Sequence, residues 1–91
     1  MRLVVDTDDG LVTTRGQLMD LSEGGFAVHL TRPIDTRYAG RISLTVAGKA
    51  IWFPMVTRWS RPGPGGWTVG CEFDRPPPEK QQAIRSLLRG R

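Results

Sequence analysis

A chain of 91 residues has room for one domain and one hydrophobic core. At 38 % hydrophobic and 24 % charged residues it is too apolar for a disordered chain, yet no apolar run approaches the ~20 residues that span a bilayer. The net charge of +4 sets thirteen basic residues, eleven Arg and two Lys, against nine acidic ones, and the arginines are scattered rather than gathered in a run, which argues against a general nucleic-acid groove.

The pattern along the chain is that of an all-β domain. Leu3-Val4-Val5-Asp6 reads as a first strand, and Asp9-Gly10 as the hairpin turn that follows it. Asp6 cuts the apolar start short before a signal core can develop, so the expected location is the cytoplasm. Leu11 to Met19 returns as a second strand, with Gly16 marking a bulge or tight bend. A turn-rich cluster, Asp20 to Gly25, leads into Phe26-Ala27-Val28-His29-Leu30. That strand alternates, with Phe26, Val28 and Leu30 on one face.

Arg41 to Ala47 alternates again, with Ile42, Leu44 and Val46 inward, and Gly48-Lys49 makes the next turn. Ala50 to Ser60 is a long strand. Pro54 within it points to an edge or a bulge, because proline cannot donate to a ladder. Arg61 to Gly66 reads as a loop, and Trp67, Val69, Cys71 and Phe73 form the inward side of a last strand. After Pro76-Pro77-Pro78 the period changes. Ala83, Ile84, Leu87 and Leu88 share one face of a helix that Gly90 would cap. The expectation is six strands and one C-terminal helix: a single domain over residues 1–91, with a barrel over about 1–74 and a helix over about 78–89.

Catalytic and metal readings find little support. The single Cys71 excludes an internal disulfide, and one Cys with one His makes no ordinary zinc site. His29 is alone and faces away from the apolar side of its strand. Without a Gly-x-Ser-x-Gly it makes no triad with Ser22 and Asp20. Asp8 and Asp9 are neighbouring turn residues rather than opposed carboxylates.

The most informative segment is Asp20-Leu21-Ser22-Glu23-Gly24-Gly25. A carboxylate accepts two adjacent N–H donors, the pair that a guanine Watson–Crick edge offers. Serine bonds a phosphate or fixes the turn, and glycine lets backbone approach a flat ligand. The same residues also make an ordinary turn with a self-capping aspartate.

Asp20, Ser22 and Gly25 resemble the signature of the PilZ domain: Asp or Asn, any residue, Ser, two residues, Gly. The flanking Gly16-Gln17-Leu18-Met19 and Phe26-Ala27-Val28, the closing pair Arg58-Trp59-Ser60 and Val69-Gly70-Cys71-Glu72-Phe73, and the terminal helix extend the likeness over residues 1–89. The resemblance implies a six-stranded antiparallel split β-barrel. It also implies a bacterial receptor domain for cyclic di-GMP that needs no further cofactor. Asp20, Ser22, Gly24 and Gly25 would meet the ligand, with Arg2, Arg15, Arg58 and Trp59 as accessory candidates.

The family's second ligand motif, Arg-three residues-Arg ahead of the first strand, is missing from this chain. Arg2 is its only arginine before Arg15. Two explanations stand: the arginines belong to a preceding segment of a longer protein, or this is a divergent member that binds weakly. A divergent member could instead act on a protein partner in motility, pilus or exopolysaccharide control. Its candidate surface would be the three Trp and the edge near Pro54.

Overall fold

The computed structural model describes residues 2–7, 10–34 and 37–89, the side chains of 5–7 excepted. The expected turn residues Asp8 and Asp9 and the expected cap Gly90 lie outside the described residues. Seven strands precede one helix: β1 (Arg2–Thr7), β2 (Gly10–Arg15), β3 (Gln17–Leu21), β4 (Gly25–Leu30), β5 (Ala39–Val46), β6 (Lys49–Gly63), β7 (Gly66–Phe73) and α1 (Pro78–Arg89).

All pairings are antiparallel, in the order β2-β1-β5-β6-β7-β4-β3. The outermost strands, β2 and β3, are consecutive in the chain and separated by Gly16 alone. A sheet whose two ends are successive halves of one excursion has to curl until those ends meet, which gives the barrel. The count is therefore seven rather than six. The stretch expected as one strand from Leu11 to Met19 leaves β1 at Arg15 and joins β4 at Gln17.

Gly16 makes this exchange sterically feasible. A Cβ built there would sit 2.5 Å from Leu30 Cδ2, 2.8 Å from Val28 Cγ2 and 2.9 Å from the His29 carbonyl. The chain passes directly over β4, and only glycine leaves it room.

The alternation read from the sequence sets the core. Leu3, Phe26, Val28, Leu30, Ile42, Leu44, Phe53, Met55, Val69, Cys71 and Phe73 are buried inside. Phe73 joins Phe26 and Phe53 at ring-centroid distances of 5.4 and 5.8 Å, both tilted, as aromatic quadrupoles prefer.

β6 is longer than expected. Arg61 to Gly63 continue as strand opposite Gly66 to Thr68, so the loop shrinks to a turn at Pro64-Gly65, with φ of 74° at Gly65. Proline followed by a glycine of positive φ is a type II turn, compatible with continued pairing. Pro54 is held inside β6 without loss. Its carbonyl accepts from Asp74 N at 2.9 Å, so the side without an N–H faces the exit of β7, not the β5 ladder.

The helix begins on Pro78, where a missing N–H costs nothing. The Pro77 carbonyl accepts from both Lys80 N and Gln81 N. Ile84 is buried in the core, with Ala83, Leu87 and Leu88 packed against it, and Lys80 Nζ donates to the Trp52 carbonyl.

Substituting Gly16→Ala should lower stability by about 1–3 kcal/mol through overpacking. Gly24→Ala, with nothing within 4 Å of the added Cβ, should leave it within about 0.5 kcal/mol. Urea unfolding of the two variants checks the contrast; equal midpoints would remove the closure argument.

Candidate functional site

The Asp20 cluster spans the end of one strand, a turn and the start of the next. Asp20 and Leu21 are the last residues of β3, and Gly25 opens β4. Ser22 closes the turn by donating from its N–H (2.8 Å) and its hydroxyl (3.3 Å) to the Gly25 carbonyl. The Gly24 carbonyl accepts from Phe73 N at 2.9 Å, tying the turn to the end of β7. Gly25 is pressed on β7, where a Cβ would overlap the Cys71 carbonyl. Gly24 has no such constraint. One carboxylate oxygen of Asp20, Oδ1, accepts from Leu21 N at 2.9 Å, which fixes the side chain and leaves Oδ2 to accept elsewhere.

Register across four strands builds the rest. Asp20 on β3 lies opposite Ala27 on β4, Ala27 opposite Gly70 on β7, and Gly70 opposite Trp59 on β6. These four residues form one outward-facing row, three strand spacings or about 14 Å wide. A Cβ on Gly70 would overlap the indole of Trp59. The ring therefore lies across β7, toward Ala27 and Asp20. Trp59 is 39 % exposed, and Arg61 Cζ stands 4.9 Å from its ring centroid.

Two bulges flank the row. The ladder skips Met19 on β3 and Arg58 on β6. A bulge re-aims the residues beside it, and here the re-aimed residues are Asp20, Arg58 and Trp59. The residue before the second bulge is pinned. The wholly buried Thr57 accepts at Oγ1 from Tyr38 N at 2.9 Å, and its N–H donates to the Tyr38 carbonyl at 2.9 Å. Arg58 Nε meets Glu72 Oε2 at 2.9 Å in a half-exposed pair.

Asp20, Ser22, Gly24, Gly25, Arg58 and Trp59 thus line one open concavity of about 440 Å³, with Ala27, Gly70 and Glu72 completing its floor and rim. Arg2 and Arg15 are not there. They face each other across β1 and β2 and line a separate hollow with Ser43, Ala50 and Trp52. The stretch from Arg15 to Asp20 includes the exchange at Gly16, so Arg15, though near in sequence, lies on another part of the barrel. Sequence reasoning missed Gly70 and Ala27 as floor residues. Both sit at outward positions where a small side chain contributes nothing to a core, and that was their available signal.

Behind the floor, burial pushes the Cys71 thiol up to about 12 from an ordinary 9.0. A thiol so far from ionising is a poor nucleophile.

The family model described as PilZ domain matches residues 1–90. No curated protein sequence matches the chain significantly.

Two outcomes are expected. Gly70→Ala should lift Trp59 off β7, shifting indole fluorescence in wild type but not in a Trp59→Phe background. For Cys71, the folded state keeps its proton to higher pH than the unfolded chain does. Above about pH 9 the unfolded chain therefore binds fewer protons, and stability falls as pH rises toward 12. A Cys71→Ala chain should lose that part of the slope in denaturation measured from pH 8 to 11.

Proposed function

This chain belongs to the PilZ domain family, and on that footing we propose that it is a receptor domain for cyclic di-GMP, with the dinucleotide docked at Asp20, Ser22, Gly24 and Gly25. The family is one of binding and regulatory domains rather than enzymes. What supports the reading is the single row Asp20–Ala27–Gly70–Trp59, with a fixed carboxylate at one end and an indole at the other.

In this reading Asp20 accepts from the paired N–H donors of a guanine edge. The base lies on the low floor of Ala27 and Gly70, and Trp59 stands at its far side. Arg58 turns from Glu72 toward a phosphate. The exchange is cheap, because a half-exposed ion pair is worth about 0–1 kcal/mol, whereas a hydrogen bond from a charged donor is worth roughly 1.5–3. Arg61, with its Cζ 4.9 Å from the Trp59 ring centroid, places a second cation beside the same concavity. Binding would act by population shift on an attached activity or partner in the bacterial cytoplasm.

A protein-interaction role is the second reading. It is favoured by Leu11 at 68 % and Val12 at 41 % exposure on β2, at one end of the sheet.

Calorimetric titration with cyclic di-GMP separates the two. Asp20→Ala should weaken binding at least tenfold, about 1.4 kcal/mol. Identical curves for variant and wild type would remove the site assignment, and no heat with either would leave the interaction reading.

A further inference from the structure

A second row of side chains, outside the concavity of Asp20, has the opposite polarity. Arg15 on β2 lies opposite Arg2 on β1, Arg2 opposite Ser43 on β5, and Ser43 opposite Trp52 on β6. These residues, with Ala50, line a hollow of about 460 Å³ that shares no residue with the concavity of Asp20. Arg41, two residues from Ser43 on the same face of β5, places its Cζ 5.3 Å from the Trp52 ring centroid.

Like charges directly opposite on antiparallel strands destabilise the pairing. Among the described residues the ion pairs are Arg58–Glu72 and Arg85–Glu23, and Arg2, Arg15 and Arg41 take part in neither. Among the described residues no carboxylate lines the hollow to offset the repulsion. Two guanidinium groups lining one hollow beside a hydroxyl and an indole make a receptor for an oxyanion of more than one charge.

We propose that Arg2, Arg15, Ser43 and Trp52 form a second ligand site that takes the phosphate of a small phosphorylated molecule. The two arginines grip the oxygens, Ser43 donates a further hydrogen bond, and the remainder of the ligand lies against Trp52. A phosphate dianion fits better than a carboxylate, because two guanidinium groups line the hollow and a third, Arg41, stands over the Trp52 ring. The site is independent of cyclic di-GMP recognition at Asp20.

The test is a heteronuclear NMR titration of the full chain at low salt with pyrophosphate, and in parallel with GMP and with guanosine. Pyrophosphate and GMP should give saturable shifts at Arg2, Arg15, Ser43 and the Trp52 indole N–H, with guanosine giving none. Arg15→Gln should weaken binding about tenfold or more, and Arg32→Gln, which lines neither hollow, should leave it unchanged. Arg15→Gln should also unfold at the same or a higher denaturant midpoint than wild type, since it relieves a repulsion, which separates lost binding from lost folding. The proposal is overturned by shifts spread over all arginines without saturation, by the absence of saturable pyrophosphate shifts at Arg2, Arg15, Ser43 and Trp52, or by an Arg15→Gln titration equal to wild type. It is equally overturned if single-stranded DNA binds at this face while pyrophosphate and GMP do not.

Discussion

The whole arrangement depends on one strand exchange. The excursion from Gly10 to Leu21 pairs with β1 in its first half and with β4 in its second, and it changes partner at a glycine pressed against Val28, Leu30 and the His29 carbonyl. If the excursion stayed on β1, β4 would lose its outer neighbour and Asp20 would have no place beside Ala27. Closure of the barrel and assembly of the Asp20 concavity are thus one event. The interior enforces it, because Leu21 at the end of β3 is buried in the same core as Phe26, Phe73 and Ile84.

Energetics separate what holds the fold from what shapes the site. Burial of the inward residues and full pairing of the central strands carry stability, at about 25 cal/mol for each Å² of apolar surface removed from water. The polar features around the concavity contribute little. Arg58–Glu72 and Arg85–Glu23 are about half exposed and belong to a class worth about 0–1 kcal/mol each. They orient rather than stabilise: the first holds the bulged arginine at the rim, and the second ties α1 to the turn beside Ser22. The bulges at Met19 and Arg58 have no counterpart in the core. They let a ladder with strict two-residue alternation present successive residues to the same outer face.

Much of this was legible in the sequence, because burial imposes a period. The inward residues of β4, β5 and β7 and the apolar face of α1 follow directly from alternation and helical spacing. The segment Asp20 to Gly25 could be read as a turn, and Arg58 and Trp59, named with it as accessory candidates, line the same concavity. What was not legible depends on register between strands distant in the chain. Nothing local says that Gly16 hands the strand to a new partner, so Arg15 looked close to Asp20. Nothing local says that Gly70 lies under Trp59. The run Arg61 to Gly66 looked like a loop because it is rich in proline and glycine, yet only Pro64-Gly65 turns and the rest continues the ladder.

The long strand β6 ties these observations together. It presents two tryptophans outward, Trp52 in its first half and Trp59 in its second, and each sits in a row of small or short side chains: Ser43 beside one, Gly70 and Ala27 beside the other. The aromatic element and its neighbours are much alike, so selectivity rests with the far end of each row. At Asp20 that end is a carboxylate, which accepts from N–H donors, with Arg58 beside it on the rim. At Arg2 and Arg15 it is a pair of guanidinium groups, which donate to oxygen acceptors. Both ends are supplied by the excursion that exchanges partners at Gly16 together with its neighbour β1. The exchange that closes the barrel therefore also separates two outer hollows, one lined by Asp20 and the other by Arg2 and Arg15.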